Sequence, residues 1–179
     1  MILQDYILEI ENVIPDNICD EICDNGITDS KSFERALIHD GILAENRKCL
    51  VKDINEKYSS ALYKAVDTVL NKYKDAHPSF HTGMTVQDSG YDHLIYNSQE
   101  KAEYKIHIDS ADHQFRVLSI SITLNDEYEG GDFVFFDDSS YKIKTKKGTA
   151  IAFPSNFCFP HAVTPITKGI RQAVITWIL

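Results

Sequence analysis

Two histidines, one aspartate and one arginine carry the chemistry this chain could do. Tyr104-Lys105-Ile106-His107-Ile108-Asp109 sets an imidazole and a carboxylate two residues apart, so on a β-strand both leave the same face. His161 follows much later in Pro160-His161-Ala162-Val163, and Arg171 comes ten positions after it in Gly169-Ile170-Arg171. Two imidazoles and a carboxylate, with nothing softer among them, suit an open non-haem Fe(II) site. Arg171 offers a planar cation that can hold a carboxylate in a fork of two parallel hydrogen bonds. A lone His-x-Asp pair among 7 histidines says little, and His161 alone would read as a packed histidine in an apolar stretch. The combination and its order carry the reading.

Those groups need strands to present them. From residue 80 the hydrophobic period becomes two, with candidate strands at 84–87, 92–96, 104–109, 117–125, 131–136, 141–145, 149–153, 161–163 and 171–177. Leu118, Ile120, Ile122 and Leu124 alternate with Ser119, Ser121 and Thr123, the pattern of a half-buried antiparallel strand. Asp137-Asp138-Ser139-Ser140 and Lys146-Lys147-Gly148 are turn signals. Many short strands at near-regular spacing predict a double-sheet jelly roll. In the last strand Arg171 shares a face with Ala173 and Ile175, a costly place for a cation unless an anion meets it.

The first half reads as support. Residues 1–14 suggest an edge strand, and Pro15 opens a short helix with Asp16 and Asn17 as caps and a stop at Asn25-Gly26. Residues 33–42 and 48–52 are expected to add strands. Residues 54–75 form the clearest helix, with Leu62, Ala65, Val66, Val69, Leu70 and Tyr73 at helical spacing, ending before His77-Pro78. The expectation is a single domain over 1–179: helical support over about 1–80 and a jelly-roll core over about 81–179.

Bulk properties narrow the function classes. A net charge of −9 disfavours a nucleic-acid partner, which needs a basic face. No apolar run approaches membrane-spanning length, and the start lacks a basic region and a small-residue cleavage site, so neither a membrane span nor a secretory signal is expected. Cys19, Cys23, Cys49 and Cys158 form no paired metal motif and read as free thiols in a reducing cytoplasm.

At these residues the chain resembles the Fe(II)- and 2-oxoglutarate-dependent dioxygenases, specifically their prolyl 4-hydroxylase-like branch. The matching features are Tyr104-x-x-His107-x-Asp109, Glu129-Gly130-Gly131-Asp132, Phe153-Pro154, His161 and Arg171, in that order, within roughly residues 90–179. The resemblance implies a double-stranded β-helix with N-terminal helices. It also implies that His107, Asp109 and His161 bind Fe(II), with the first pair at a strand end at the barrel mouth and His161 from a strand across it. Arg171 and Tyr96 would hold the far carboxylate of 2-oxoglutarate, Thr123 could reach the same co-substrate, and Tyr104 would line the substrate side. The Gly130-Gly131 turn would be structural only.

The reaction implied is hydroxylation of an unactivated C–H bond, with O2 consumed, succinate and CO2 formed, and ascorbate a candidate reductant. A prolyl residue in a peptide or protein is the expected substrate; a free amino acid or other small molecule is the alternative. Asp109 argues against halogenating relatives, which lack that carboxylate. Trp177 stands where nucleic-acid demethylases carry a second arginine. The rival from another class is a non-catalytic, cupin-like module that binds a metal or ligand. The substrate cleft would be formed by loops over 76–93 and 110–116.

Overall fold

The computed structural model describes residues 2–28, 32–36, 46–80, 87–110, 115–136 and 141–179. Among them, the larger sheet begins at β1 (Leu8–Ile10) and continues through β10 (Ala150–Pro154), β6 (Leu118–Thr123), β13 (Ile170–Ile178), β4 (Asp92–Asn97), β3 (Leu50–Asp53) and β2 (Glu34–Arg35). The smaller sheet runs β5 (Tyr104–His107), β11 (His161–Val163), β8 (Phe133–Phe135) and β9 (Lys142–Ile143). A two-stranded pair joins β12 (Ile166–Lys168) to β7 (Glu129–Gly130). Every pairing is antiparallel. This is the expected jelly roll. Its first half lends three strands to the larger sheet, each beginning within a stretch (1–14, 33–42 or 48–52) expected to hold one.

Helix α2 (Ser59–Ala76) follows a 3-10 turn at Glu56–Tyr58, where the Asn55 side chain accepts from the Lys57 N–H at 3.0 Å. Its stripe Leu62, Ala65, Val66, Val69, Leu70 and Tyr73 is buried, as the periodicity predicts. It packs with Leu118, Ile120, Ile122 and Leu124 on the outer face of the larger sheet. The alternation reads as a half-buried strand, but all six residues of β6 are buried, its hydroxyl face included. The smaller sheet closes over Ser119, Ser121 and Thr123. Their hydroxyls therefore face the interior of the roll, where each needs a partner.

Helix α1 (Asp16–Thr28) runs past the stop expected at Gly26. A Cβ on Gly26 would sit 2.5 Å from Cε1 of His93 and 2.8 Å from Oε1 of Gln172, so this glycine serves close packing of helix on sheet. Of the strand expected over 33–42, Glu34–Arg35 is strand, and 37–45 lie outside the described residues. Residues 84–86 of the strand expected over 84–87 lie outside them too, as do 81–86 of the first expected cleft loop and 111–114 of the second.

The packing beneath α1 has a pH signature. His93 is 4% exposed, and burial pushes its imidazole from 6.5 down to about 4. Because the folded value is depressed, the unfolded chain binds the extra proton. Stability from this residue is complete above about pH 6.5 and lost as the pH falls towards 4. Between about pH 7.5 and about pH 4.5 the loss should be on the order of 2 kcal/mol. Urea midpoints of wild type and His93→Gln at both values check this, the variant losing correspondingly less.

Candidate metal centre and its cavity

β5 ends at His107, so Asp109 lies two residues beyond the strand rather than on it. Strand alternation, the basis of the expected shared face, is thus not what brings the two side chains together. Nor does His161 come from across a barrel mouth. It is on the adjacent strand β11, its Cα in direct register with that of His107. Cross-strand pairing supplies the two imidazoles, and the chain leaving β5 folds the carboxylate onto them. Nε2 of His107 is 3.5 Å from Oδ1 of Asp109, and Nε2 of His161 is 3.8 Å from Oδ2. One ligand atom from each lies within 4.8 Å of the others.

Both rings are oriented the same way. Nδ1 of His107 is 2.8 Å from the Lys105 carbonyl, and Nδ1 of His161 is 3.1 Å from that of Phe159. A carbonyl only accepts, so each Nδ1 carries the hydrogen and each Nε2 is left as the free nitrogen facing Asp109. Tyr104 stacks on His107 with centroids 3.4 Å apart, and Phe153 meets His161 edge-on at 4.6 Å. Burial pushes the His161 imidazole down to about 4, against the pull of Asp109. Burial raises Asp109, but His161, His107 and the Ser119 hydroxyl outweigh it and hold the carboxyl well below the usual range. Two bare Nε2 atoms and an ionised carboxylate at this spacing fit a divalent transition metal with open positions.

The triad lines a cavity of about 560 Å³ that also contains Tyr96, Tyr104 and Arg171. Arg171 and Tyr96 are cross-strand partners on β13 and β4. The Arg171 guanidinium carbon lies 5.3 Å from the centroid of the Tyr96 ring and 5.5 Å from that of Phe133. Arg171 is 1% exposed, and its Nε and Nη2 have no hydrogen-bond partner. A buried guanidinium with unanswered N–H groups beside a cavity is a receptor for an anion. Gly131, expected to be a turn residue alone, also makes room for it: a Cβ there would be 2.9 Å from Cδ of Arg171.

Thr123 is not brought to the site. It lies further along β6 than Ser121, which does line the cavity, and its hydroxyl is paired with that of Thr145. Sequence reasoning missed several other residues. Ser119 donates to Oδ2 of Asp109 at 2.6 Å, and Ser155 stands 2.9 Å behind it. Arg116 donates to the Asp109 main-chain carbonyl at 3.1 Å while its guanidinium carbon sits 3.7 Å from the centroid of the Trp177 ring. The Arg47 guanidinium carbon lies 5.0 Å from the centroid of the Tyr104 ring. One signal was available for Ser119: a strand whose alternate positions are all small hydroxyls, with no charge among them, is not written for water.

Comparison with known proteins adds an independent line. A family model described as the 2OG-Fe(II) oxygenase superfamily matches residues 92–179. A PKHD-type hydroxylase of Alteromonas mediterranea is 42% identical over 62 residues, covering 34% of this chain and 26% of that protein. Prolyl 3-hydroxylase 2 of Homo sapiens is 40% identical over 67 residues, 35% of this chain and 10% of that protein. The chain thus spans about a quarter or less of these curated relatives. A prolyl hydroxylase from Trichoplax adhaerens, solved with a peptide fragment of the hypoxia inducible factor oxygen degradation domain, superposes with a TM-score of 0.78 at 16% identity, covering 98% of this chain and 84% of that one. That last likeness is one of fold.

Proposed function

We propose that this chain, whose residues 92–179 belong to the 2OG-Fe(II) oxygenase superfamily, is a 2-oxoglutarate-dependent dioxygenase that hydroxylates a prolyl residue in a peptide or protein. One observation carries the proposal: a triad of two free Nε2 atoms and one carboxylate shares its cavity with a buried, unanswered guanidinium. The first is a receptor for a metal and the second for a dicarboxylate's far end.

His107, Asp109 and His161 would hold Fe(II), and Arg171 would bind the distal carboxylate of 2-oxoglutarate across the Tyr96 ring. When bound, iron, 2-oxoglutarate and O2 supply the oxidation: the keto acid becomes succinate and CO2, and one oxygen atom enters the substrate C–H bond. The chain's own work is orientation. The Nδ1–H bonds to the Lys105 and Phe159 carbonyls lock both imidazoles. Phe133, Phe135 and Phe153 pack around His161 and keep water from that side. On the open side, Tyr104 and the Arg116–Trp177 stack give a flat apolar wall edged with N–H donors, suited to a proline ring and the carbonyls beside it. The names of the relatives support a prolyl substrate. The free thiols of Cys19, Cys23, Cys49 and Cys158 support a reducing compartment such as the cytoplasm.

The test is succinate release by anaerobically purified protein given Fe(II), 2-oxoglutarate, ascorbate, air and proline-containing peptides, beside His161→Ala. Wild type should form succinate and a peptide heavier by one oxygen atom, and the variant neither. Oxidation of free amino acids but not peptides would move the substrate to the small-molecule class. A wild type that neither binds 2-oxoglutarate nor turns it over would instead be a ligand-binding module.

A further inference from the structure

We infer that Ser119, backed by Ser155, is a positioning residue that fixes the Asp109 carboxylate as a one-oxygen metal ligand. The inference rests on the metal reading of the triad. Asp109 needs such a device because no sheet ladder holds it, β5 having ended at His107. Ser119 can supply one because β6 is a central strand of the larger sheet, where Ser119 is in register with Phe153 on one side and Trp177 on the other. Its hydroxyl crosses from that sheet to the carboxylate in a buried bond of 2.6 Å.

The direction of the chain of hydroxyls follows from proton count. An ionised carboxylate only accepts, so the single Ser119 proton goes to Oδ2 of Asp109. In the 2.9 Å contact between the two serines, Ser155 must then be the donor. Ser155 is itself placed by its N–H to the Val117 carbonyl at 3.2 Å and by its own carbonyl, which accepts from Ser110 at 3.1 Å. Both serines are 1% exposed, so water does not substitute for either partner. With Oδ2 engaged, Oδ1 remains for the metal on the side of His107 Nε2. A carboxylate so held binds through one oxygen and leaves the remaining positions open. Ser121, two residues along the same face, has no such contact with the triad.

The experiment measures Mn(II) dissociation constants on metal-free protein by calorimetry, with thermal midpoints recorded alongside. Ser119→Ala should weaken Mn(II) binding by ~10- to 100-fold, the usual consequence of losing a partner of a metal ligand. Ser155→Ala, which leaves the Ser119–Asp109 bond in place, should weaken it less, and Ser119→Thr, which keeps a hydroxyl, should restore most of the affinity. In turnover the metal requirement should rise while the KM for 2-oxoglutarate stays put, a split that general loosening of the core would not produce. Ser119→Ala binding Mn(II) within about threefold of wild type would overturn the inference and leave the metal centre standing. A wild type that binds no Mn(II) would overturn both.

Discussion

Asp109→Asn should lose the metal and all turnover while keeping the fold. The substitution preserves shape and removes charge. In the wild type the carboxyl is held ionised, in hydrogen bond to Ser119 and facing two free Nε2 atoms. The anion is the hard, charged third of a two-histidine, one-carboxylate site. An amide offers one neutral oxygen, and Ser119 can then donate to the only oxygen left for the metal. Mn(II) affinity should fall by more than the ~10- to 100-fold expected for an outer partner, and succinate release should reach background. The fold should respond less. The carboxyl is held well below its usual range, so its charge contributes to the folded state, and metal-free Asp109→Asn should melt somewhat below wild type while staying folded. Loss of the metal with the fold retained marks a ligand. Metal affinity retained in the variant would make Asp109 a structural residue and sink the proposed centre.

How far the sequence foretold this differs from residue to residue. The types and order of His107, Asp109, His161 and Arg171 were legible because ligand chemistry restricts the choice of residue. The α2 stripe was legible because its periodicity is local. Asp109 leaving the strand was not, since His-x-Asp reads alike on a strand and in the turn after it. The pairing of His107 with His161 depends on register between strands more than fifty residues apart in sequence, which no local pattern encodes. Ser119 went unassigned because its partner, the Asp109 carboxylate, comes from the chain leaving the other sheet, which no pattern within β6 encodes. Gly26 looked like a helix stop because the signal for a C-cap glycine and for a close-packed one is the same residue. Strands β7 and β12 are two and three residues long, too short for any period to show.

Arg171→Met should trade affinity for stability, and this trade tests the co-substrate half of the site. In the protein without ligands the guanidinium is 1% exposed with two N–H groups unanswered. Replacing a buried, uncompensated cation by an apolar side chain of similar length relieves a desolvation cost. The ligand-free variant should therefore melt at or above the wild-type temperature. Binding should move the other way. Loss of one partner from a buried charge pair costs about 2–5 kcal/mol, or roughly 30- to 4,000-fold in Kd. Calorimetric titration of Mn(II)-loaded protein with 2-oxoglutarate reads this directly. Arg171→Lys, which keeps the charge but not the fork, should fall between the two. A destabilised Arg171→Met with unchanged 2-oxoglutarate affinity would mean that the arginine serves the fold, and that the anion site lies elsewhere in the cavity. The predicted pattern needs no homologous protein to interpret it, because only a residue kept against the interest of the empty fold gains stability on removal and loses ligand at the same time.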